Sequence, residues 1–230
     1  GKWCSYADGP DLPDDQRKEM SGGLVFETEP LEAPLELLGA PRLRIRLRAE
    51  QPCGQIIVRL CDTAPDGATT RVSYGVLNLR HREGHDRPQD LVAGSDYDVS
   101  VPLNHLGHRF AVGHRLQMAL STAYWPLIWP EPEAGPLSID PAATGLELPV
   151  RAPTGPDHSP VFPAAPDYAP LRAVHRVAPT QAWRVHHALG SNAASLEVIQ
   201  DNGTRTLEDV DLTLRDATRE VYHQVGGDPA

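Results

Sequence analysis

The chain has 230 residues and a formal net charge of -10, from 31 acidic against 21 basic side chains. With no basic cluster outside one strand, that balance excludes the electrostatic footprint of a nucleic-acid binder, and no apolar run approaches the ~18 residues that span a membrane. The 23 prolines and 19 glycines exclude long helices, since one proline inside a helix costs about 3 kcal/mol; short strands separated by turns are the expected build.

Residues 1–20 read as a polar, irregular segment with turn signals at Asp8-Gly9-Pro10 and Leu12-Pro13-Asp14-Asp15. The opening Gly-Lys-Trp-Cys-Ser has neither an initiator methionine nor the apolar stretch of a signal peptide, and is read as internal to a longer polypeptide. Leu24-Val25-Phe26 is the first strand expected. From Arg42 to Arg48, Leu43, Ile45 and Leu47 share one face and four arginines the other, the period of a half-buried strand. A hairpin follows from Gln55 to Leu79. Ile56, Val58 and Leu60 share a face of its first strand, Val72 and Tyr74 a face of its second, and Ala64-Pro65-Asp66-Gly67 supplies the turn. Further strands are expected at 96–103, 115–121, 137–139 and 146–150. Short strands at this spacing predict an all-β fold, an antiparallel sandwich with jelly-roll connections over residues 21–151. Its expected core is Leu43, Ile45, Leu47, Ile56, Val58, Leu60, Met118 and Leu120.

Residues 152–170 are proline-rich, extended and poor in ladder donors, which marks a linker. Residues 171–230 read as a smaller β-rich extension with strands at 183–189, 195–199, 204–207 and 211–215, and Asp201-Asn202-Gly203 as a hairpin turn. The run Glu220 to Val225 is strand-like with no partner after it, so the extension reads as truncated.

No serine sits in the Gly-x-Ser-x-Gly elbow of an α/β serine hydrolase: Ser21-Gly22-Gly23 lacks the earlier glycine, and Ser95 follows Gly94 in a polar loop. No catalytic residue is assigned, and the chain alone is expected to be inactive. Cys4, Cys53 and Cys61 match no metal spacing and read as idle thiols of a reducing, cytoplasmic compartment, with a disulfide between two of them as the alternative. The histidine pairs His81/His85 and His105/His108 lie around glycines in loop-like sequence, and adjacent His186 and His187 would point to opposite faces of a strand, so zinc is not expected. No cofactor is expected. Loop calcium through Asp62, Asp66, Asp96 and Asp98 is the alternative to ordinary turn-forming aspartate. The arginine row Arg42, Arg44, Arg46 and Arg48 is expected to face acidic residues on a neighbouring strand. The strongest functional candidate is Tyr124 to Pro130, where Tyr124, Trp125 and Trp129 stand close together between prolines. These three are candidates for an interface or pocket wall, with Trp125 in the sandwich core as the alternative.

The motifs Leu24-Val25-Phe26-Glu27-Thr28, Glu29-Pro30-Leu31, Val58-Arg59-Leu60-Cys61-Asp62, Ala64-Pro65-Asp66-Gly67 and Ser121-Thr122-Ala123-Tyr124-Trp125-Pro126 stand in this order. Together they resemble the C-terminal, galactose-binding-like jelly-roll domain of the cocaine esterase/Xaa-Pro dipeptidyl peptidase family of α/β serine hydrolases. The resemblance covers roughly residues 15–150. It implies a parent enzyme that hydrolyses acyl esters, amides or Xaa-Pro peptide bonds, with its Ser, Asp and His in a separate α/β-hydrolase core. This chain would then be the non-catalytic domain that packs on that core and shapes substrate access. Its expected partner is the hydrolase domain of the same parent chain, with self-association through an apolar patch as a further expectation. The alternative is a carbohydrate-binding module with an aromatic platform.

Overall fold

The computed structural model describes residues 15–20, 22–131, 133, 135–152, 161–166, 171–188, 190–191 and 193–225. The turn signals at residues 8–14, Cys4, Ser21, Leu189 and most of the linker at 152–170 lie outside the described residues; within that linker, residues 161–166 have no regular structure. Among the described residues no helix is long and apolar enough to cross a membrane. Residues 15–152 form one compact unit and residues 161–225 a second.

Among the described residues the first unit contains nine strands: β1 Leu24–Glu27, β2 Leu35–Gly39, β3 Arg42–Ala49, β4 Gln55–Thr63, β5 Thr69–Asn78, β6 Asp96–Pro102, β7 Leu106–Phe110, β8 Arg115–Ser121 and β9 Leu137–Glu147. One layer runs β1-β8-β4-β5 and the other β6-β3-β9. A β2-β7 ribbon extends the second layer, because Leu38 N donates to Pro149 O at 3.0 Å and Arg151 N to Glu36 O at 2.9 Å. Every pairing is antiparallel. The fold is the expected all-β sandwich.

The inner faces of β3 and β4 meet as expected. Leu43, Ile45, Leu47, Ile56, Val58, Leu60 and Leu120 are buried in one cluster with Leu37, Val101 and Phe110, and Met118 packs half-buried against it. Removing each such side chain from water contributes about 1.5–3 kcal/mol. The opposite face of β3 is its arginine row. Arg46 donates to Asp98 at 2.8 and 2.7 Å, Arg48 to Asp96 at 2.8 and 3.0 Å, and Arg44 reaches Glu147 on the other neighbour. These exposed pairs fix register more than they stabilise.

Several expectations need correction. The short segment before β1 is not irregular throughout: Gln16–Glu19 form a 3-10 turn, capped by Asp15 Oδ1 accepting from Arg17 N at 3.0 Å. Val72 and Tyr74 do not share a face. A bulge between Leu60 and Cys61 skips Val72, which packs on the core, and leaves Tyr74 opposite Arg59. The strands expected at 137–139 and 146–150 are largely one, β9, which widens opposite Ile45 and then resumes its ladder with β3. Strand β2 was not expected, and His105 and His108 do not share a loop, since His108 lies in β7. The strand expected at 96–103 is β6, so Asp96 and Asp98 stand on a strand and not in a loop, with their carboxylates on arginines.

The second unit is a small antiparallel sheet of β10 Ala173–Val177, β11 Thr180–Ala188, β12 Ala193–Leu207 and β13 Leu212–Val225. Strand β13 lines one edge of β12, while β10 and β11 share the other. Asp201-Asn202-Gly203 is not a hairpin turn. It is a bulge inside β12, with Asp201 Oδ1 accepting from Gly203 N at 2.9 Å and Gly203 at φ +69°. The local Asx contact that signals a turn in sequence is satisfied here within a continuous strand. Glu220 to Val225 does have a partner, the first half of β12, with Val225 opposite Ala193.

Candidate docking site around the Tyr124–Pro130 loop

Strand β8 ends at Ser121, where the chain leaves the sheet. Ser121 Oγ donates to Ala123 O at 3.0 Å. Ile128 N donates to Tyr124 O at 3.0 Å, closing a bridge across the intervening residues, and the Trp125–Pro126 peptide is cis. The buried Gln55 amide of β4 donates to both Thr122 O, at 3.1 Å, and Trp129 O, at 3.2 Å. One side chain thereby ties both ends of the loop to the sheet.

Beneath the loop lies a cluster the sequence did not disclose. Strand β4 is buried on both faces: opposite Ile56, Val58 and Leu60 stand Gln55, Ile57, Arg59, Cys61 and Thr63, all buried. Arg59 is 0% exposed. Its Nη2 donates to Glu19 O at 2.9 Å, Nη1 stands 3.7 Å from Glu19 Oε2, and the guanidinium carbon is 4.9 Å from the Tyr124 ring centre. A buried cation is costly unless paired; here a carbonyl, a carboxylate and an aromatic face share that task. Arg71 Nη1 donates to the Tyr124 hydroxyl at 2.6 Å while its guanidinium lies 4.6 Å from the Tyr74 ring centre. The Tyr124 hydroxyl donates onward to Gln16 Oε1 at 3.2 Å. Burial first, then the negative charge of Glu19, push the Tyr124 pKa up to about 12, so the hydroxyl remains a donor at neutral pH.

The three candidates therefore occupy three environments. Tyr124 is a buried anchor at 4% exposed. Trp125 is half-buried. Trp129 is 46% exposed on a backbone held by Gln55. Beside the loop, an open slot of about 270 Å³ between the layers is lined by Leu24, Ile56, Leu120, Thr122, Leu137 and Ile139. Pinned aromatic and apolar surface of this kind suits a protein contact. The missed residues, Gln16, Arg59, Arg71 and Tyr74, had one legible signal. Ile57 and Cys61 are apolar on the face opposite Ile56, so that face is buried too, and Arg59 between them must be a paired cation.

Asp62 accepts from His108 Nε2 at 2.9 Å and stands 2.8 Å from His114 Nδ1, which joins β4 to β7 and to the turn before β8. Asp66 Oδ1 accepts from Ala68 N at 2.9 Å in the hairpin turn. Among the described residues no three His, Cys, Asp or Glu side chains are grouped to hold a metal ion. Cys53 and Cys61 are free and buried, and burial pushes the Cys61 thiol up to about 12.

The fold and its loop define an antiparallel β-sandwich domain with a pinned aromatic loop at one end of strand β8. Residues 2–186 match the family described as the X-Pro dipeptidyl-peptidase C-terminal non-catalytic domain, and the chain belongs to that family. The match extends past residue 150, where the resemblance read from motifs ended. Over 123 residues the chain is 27% identical to a cocaine esterase of Rhodococcus sp. (strain MB1 Bresler), which covers 53% of this chain and 21% of that one. Its fold is similar to that of an aminopeptidase from the marine sediment archaeon Thaumarchaeota archaeon, with a TM-score of 0.59 and 24% identity over 64% of this chain and 30% of the other. An α-amino acid ester hydrolase labelled with selenomethionine is also similar, with a TM-score of 0.56 and 25% identity over 61% of this chain and 28% of the other. The chain thus spans between a fifth and a third of the length of these relatives.

Proposed function

We propose that this domain serves a serine hydrolase of the cocaine esterase/Xaa-Pro dipeptidyl peptidase type by packing on the catalytic α/β-hydrolase domain of the same parent polypeptide. The Tyr124–Pro130 loop forms the centre of the contact and limits substrate access to the neighbouring cleft. The parent hydrolyses acyl esters, amides or Xaa-Pro peptide bonds in the cytoplasm. The family match carries this reading, and the exposure of Trp129 on a loop that Gln55 holds at both ends supports its location.

The test has two arms. The 230-residue chain should leave p-nitrophenyl esters and Xaa-Pro chromogenic amides unhydrolysed and should take up no fluorophosphonate label. In the parent hydrolase, Trp129→Ala should lower kcat/KM about tenfold, equivalent to about 1.4 kcal/mol of lost transition-state stabilisation. Stoichiometric serine labelling of the chain, or unchanged kinetics in Trp129→Ala, overturns the reading. A tryptophan fluorescence change on adding simple sugars, with the parent unaffected by the substitution, would support a carbohydrate-binding role instead.

A further inference from the structure

The turn Gln16–Glu19 touches the loop through the Gln16 side chain and the sheet through Glu19. Gln16 is fully buried, although Arg17 and Lys18 after it in the turn are exposed, and its Oε1 accepts from the Tyr124 hydroxyl at 3.2 Å. Three residues further on, the Glu19 carbonyl accepts from Arg59 Nη2 at 2.9 Å. Tyr124 stands where these contacts converge: its ring lies against the Arg59 guanidinium and its hydroxyl also accepts from Arg71. The turn contributes nothing to either sheet ladder. It bonds the residue that anchors the tryptophan loop through Gln16 and the buried guanidinium beneath that residue through Glu19, while adding no rung to the strand pairings.

We propose that residues Asp15–Met20 act as a latch for the tryptophan loop, with Gln16 and Tyr124 as its positioning residues. Seated, the turn fixes Tyr124 between Arg59 and Arg71 and holds Trp125 and Trp129 in one arrangement. Lifted, it withdraws the acceptor of the Tyr124 hydroxyl and the carbonyl on Arg59, and the loop loosens while the sandwich persists. The consequence for the parent enzyme rests on the docking role proposed for the loop: the contact surface forms only when the segment leading into β1 is in place. The latch itself is testable without any partner.

The chain is prepared with 5-fluorotryptophan, and the ¹⁹F resonances of Trp125, Trp129 and Trp183 are assigned by single Trp→Phe variants. Gln16→Leu, which keeps the volume and loses the acceptor, and Tyr124→Phe, which keeps the ring and loses the hydroxyl, are compared with the unmodified chain. The latch predicts that Trp125 or Trp129 shifts or broadens in both variants, while Trp183 on β11 stays in place and far-UV circular dichroism is unchanged. It also predicts at least tenfold faster chymotryptic cleavage between Ala123 and Ile128. Unchanged loop resonances with unchanged cleavage overturn the proposal. So does a loss of fold in both variants, because a latch must be separable from the sandwich it sits on. Loop resonances that respond as predicted, alongside a parent enzyme indifferent to Trp129→Ala, would retain the latch and reject the docking role.

Discussion

At Tyr124, a residue that looks like a surface aromatic in sequence proves to be a buried joint. Its hydroxyl sits between Arg71 and Gln16 and its ring against Arg59. Truncation to alanine would empty a space inside this cluster and leave Arg59 without its aromatic face, so Tyr124→Ala should cost about 3–5 kcal/mol in thermal or urea unfolding. Trp129→Ala, on the exposed side of the same loop, should cost under about 1 kcal/mol. The raised Tyr124 pKa also has a pH consequence. Above about pH 10 the unfolded chain releases this proton while the folded chain keeps it up to about pH 12. Stability should therefore be complete below pH 10 and fall with rising pH through that window, with a slope of up to about 1.4 kcal/mol per pH unit. Alkaline unfolding curves check this, and Tyr124→Phe should flatten that part of the slope. At Cys61, the thiol pushed up to about 12 should resist iodoacetamide at pH 8 until the protein unfolds.

Among the elements, β4 carries the most weight, since both of its faces are buried. Its neighbour β5 meets the other layer at Gly75, where an added Cβ would stand 2.4 Å from Pro102 O. Gly75→Ala should lower the melting temperature of the first unit by several degrees or more, as backbone there must move. In the second unit, Gly203 at φ +69° has Val177 O at 2.1 Å from its missing Cβ; Gly203→Ala should disturb β10 and β12, read as shifted NMR signals of those strands. Strands with clean alternation were legible. Arg42–Arg48 fixed the core face of β3 and the salt-bridged outer face together. What escaped were features set by partners rather than by local pattern. Leu106-Gly-His-Arg-Phe breaks alternation with a glycine and a histidine, yet β2 supplies its ladder and Asp62 holds His108. The Asp201-Asn202-Gly203 bulge carries turn chemistry, but β13 pairs on both sides of it and keeps β12 continuous. The loop's position was legible from its aromatics and prolines, whereas its anchor needed Gln16, far away in sequence.

For the whole molecule, the sandwich gives a rigid frame, the buried Arg59–Tyr124 cluster fixes one loop on it, and that loop presents Trp129 and the adjoining apolar slot to water. Such surface is retained at a cost in solubility when a partner covers it. Burying two large aromatic side chains at roughly 25 cal/mol per Å² is enough to dominate a domain contact. The family places this chain as a non-catalytic domain, and the docking role proposed for it would act through such a contact. Hydrogen–deuterium exchange tests this most directly, by comparing residues 121–131 in the parent hydrolase with the same peptide in the isolated chain. The account predicts clearly slower exchange in the parent, centred on Trp125 to Trp129, with the β3 and β4 core peptides alike in both. Equal exchange of the loop in the two proteins would contradict it.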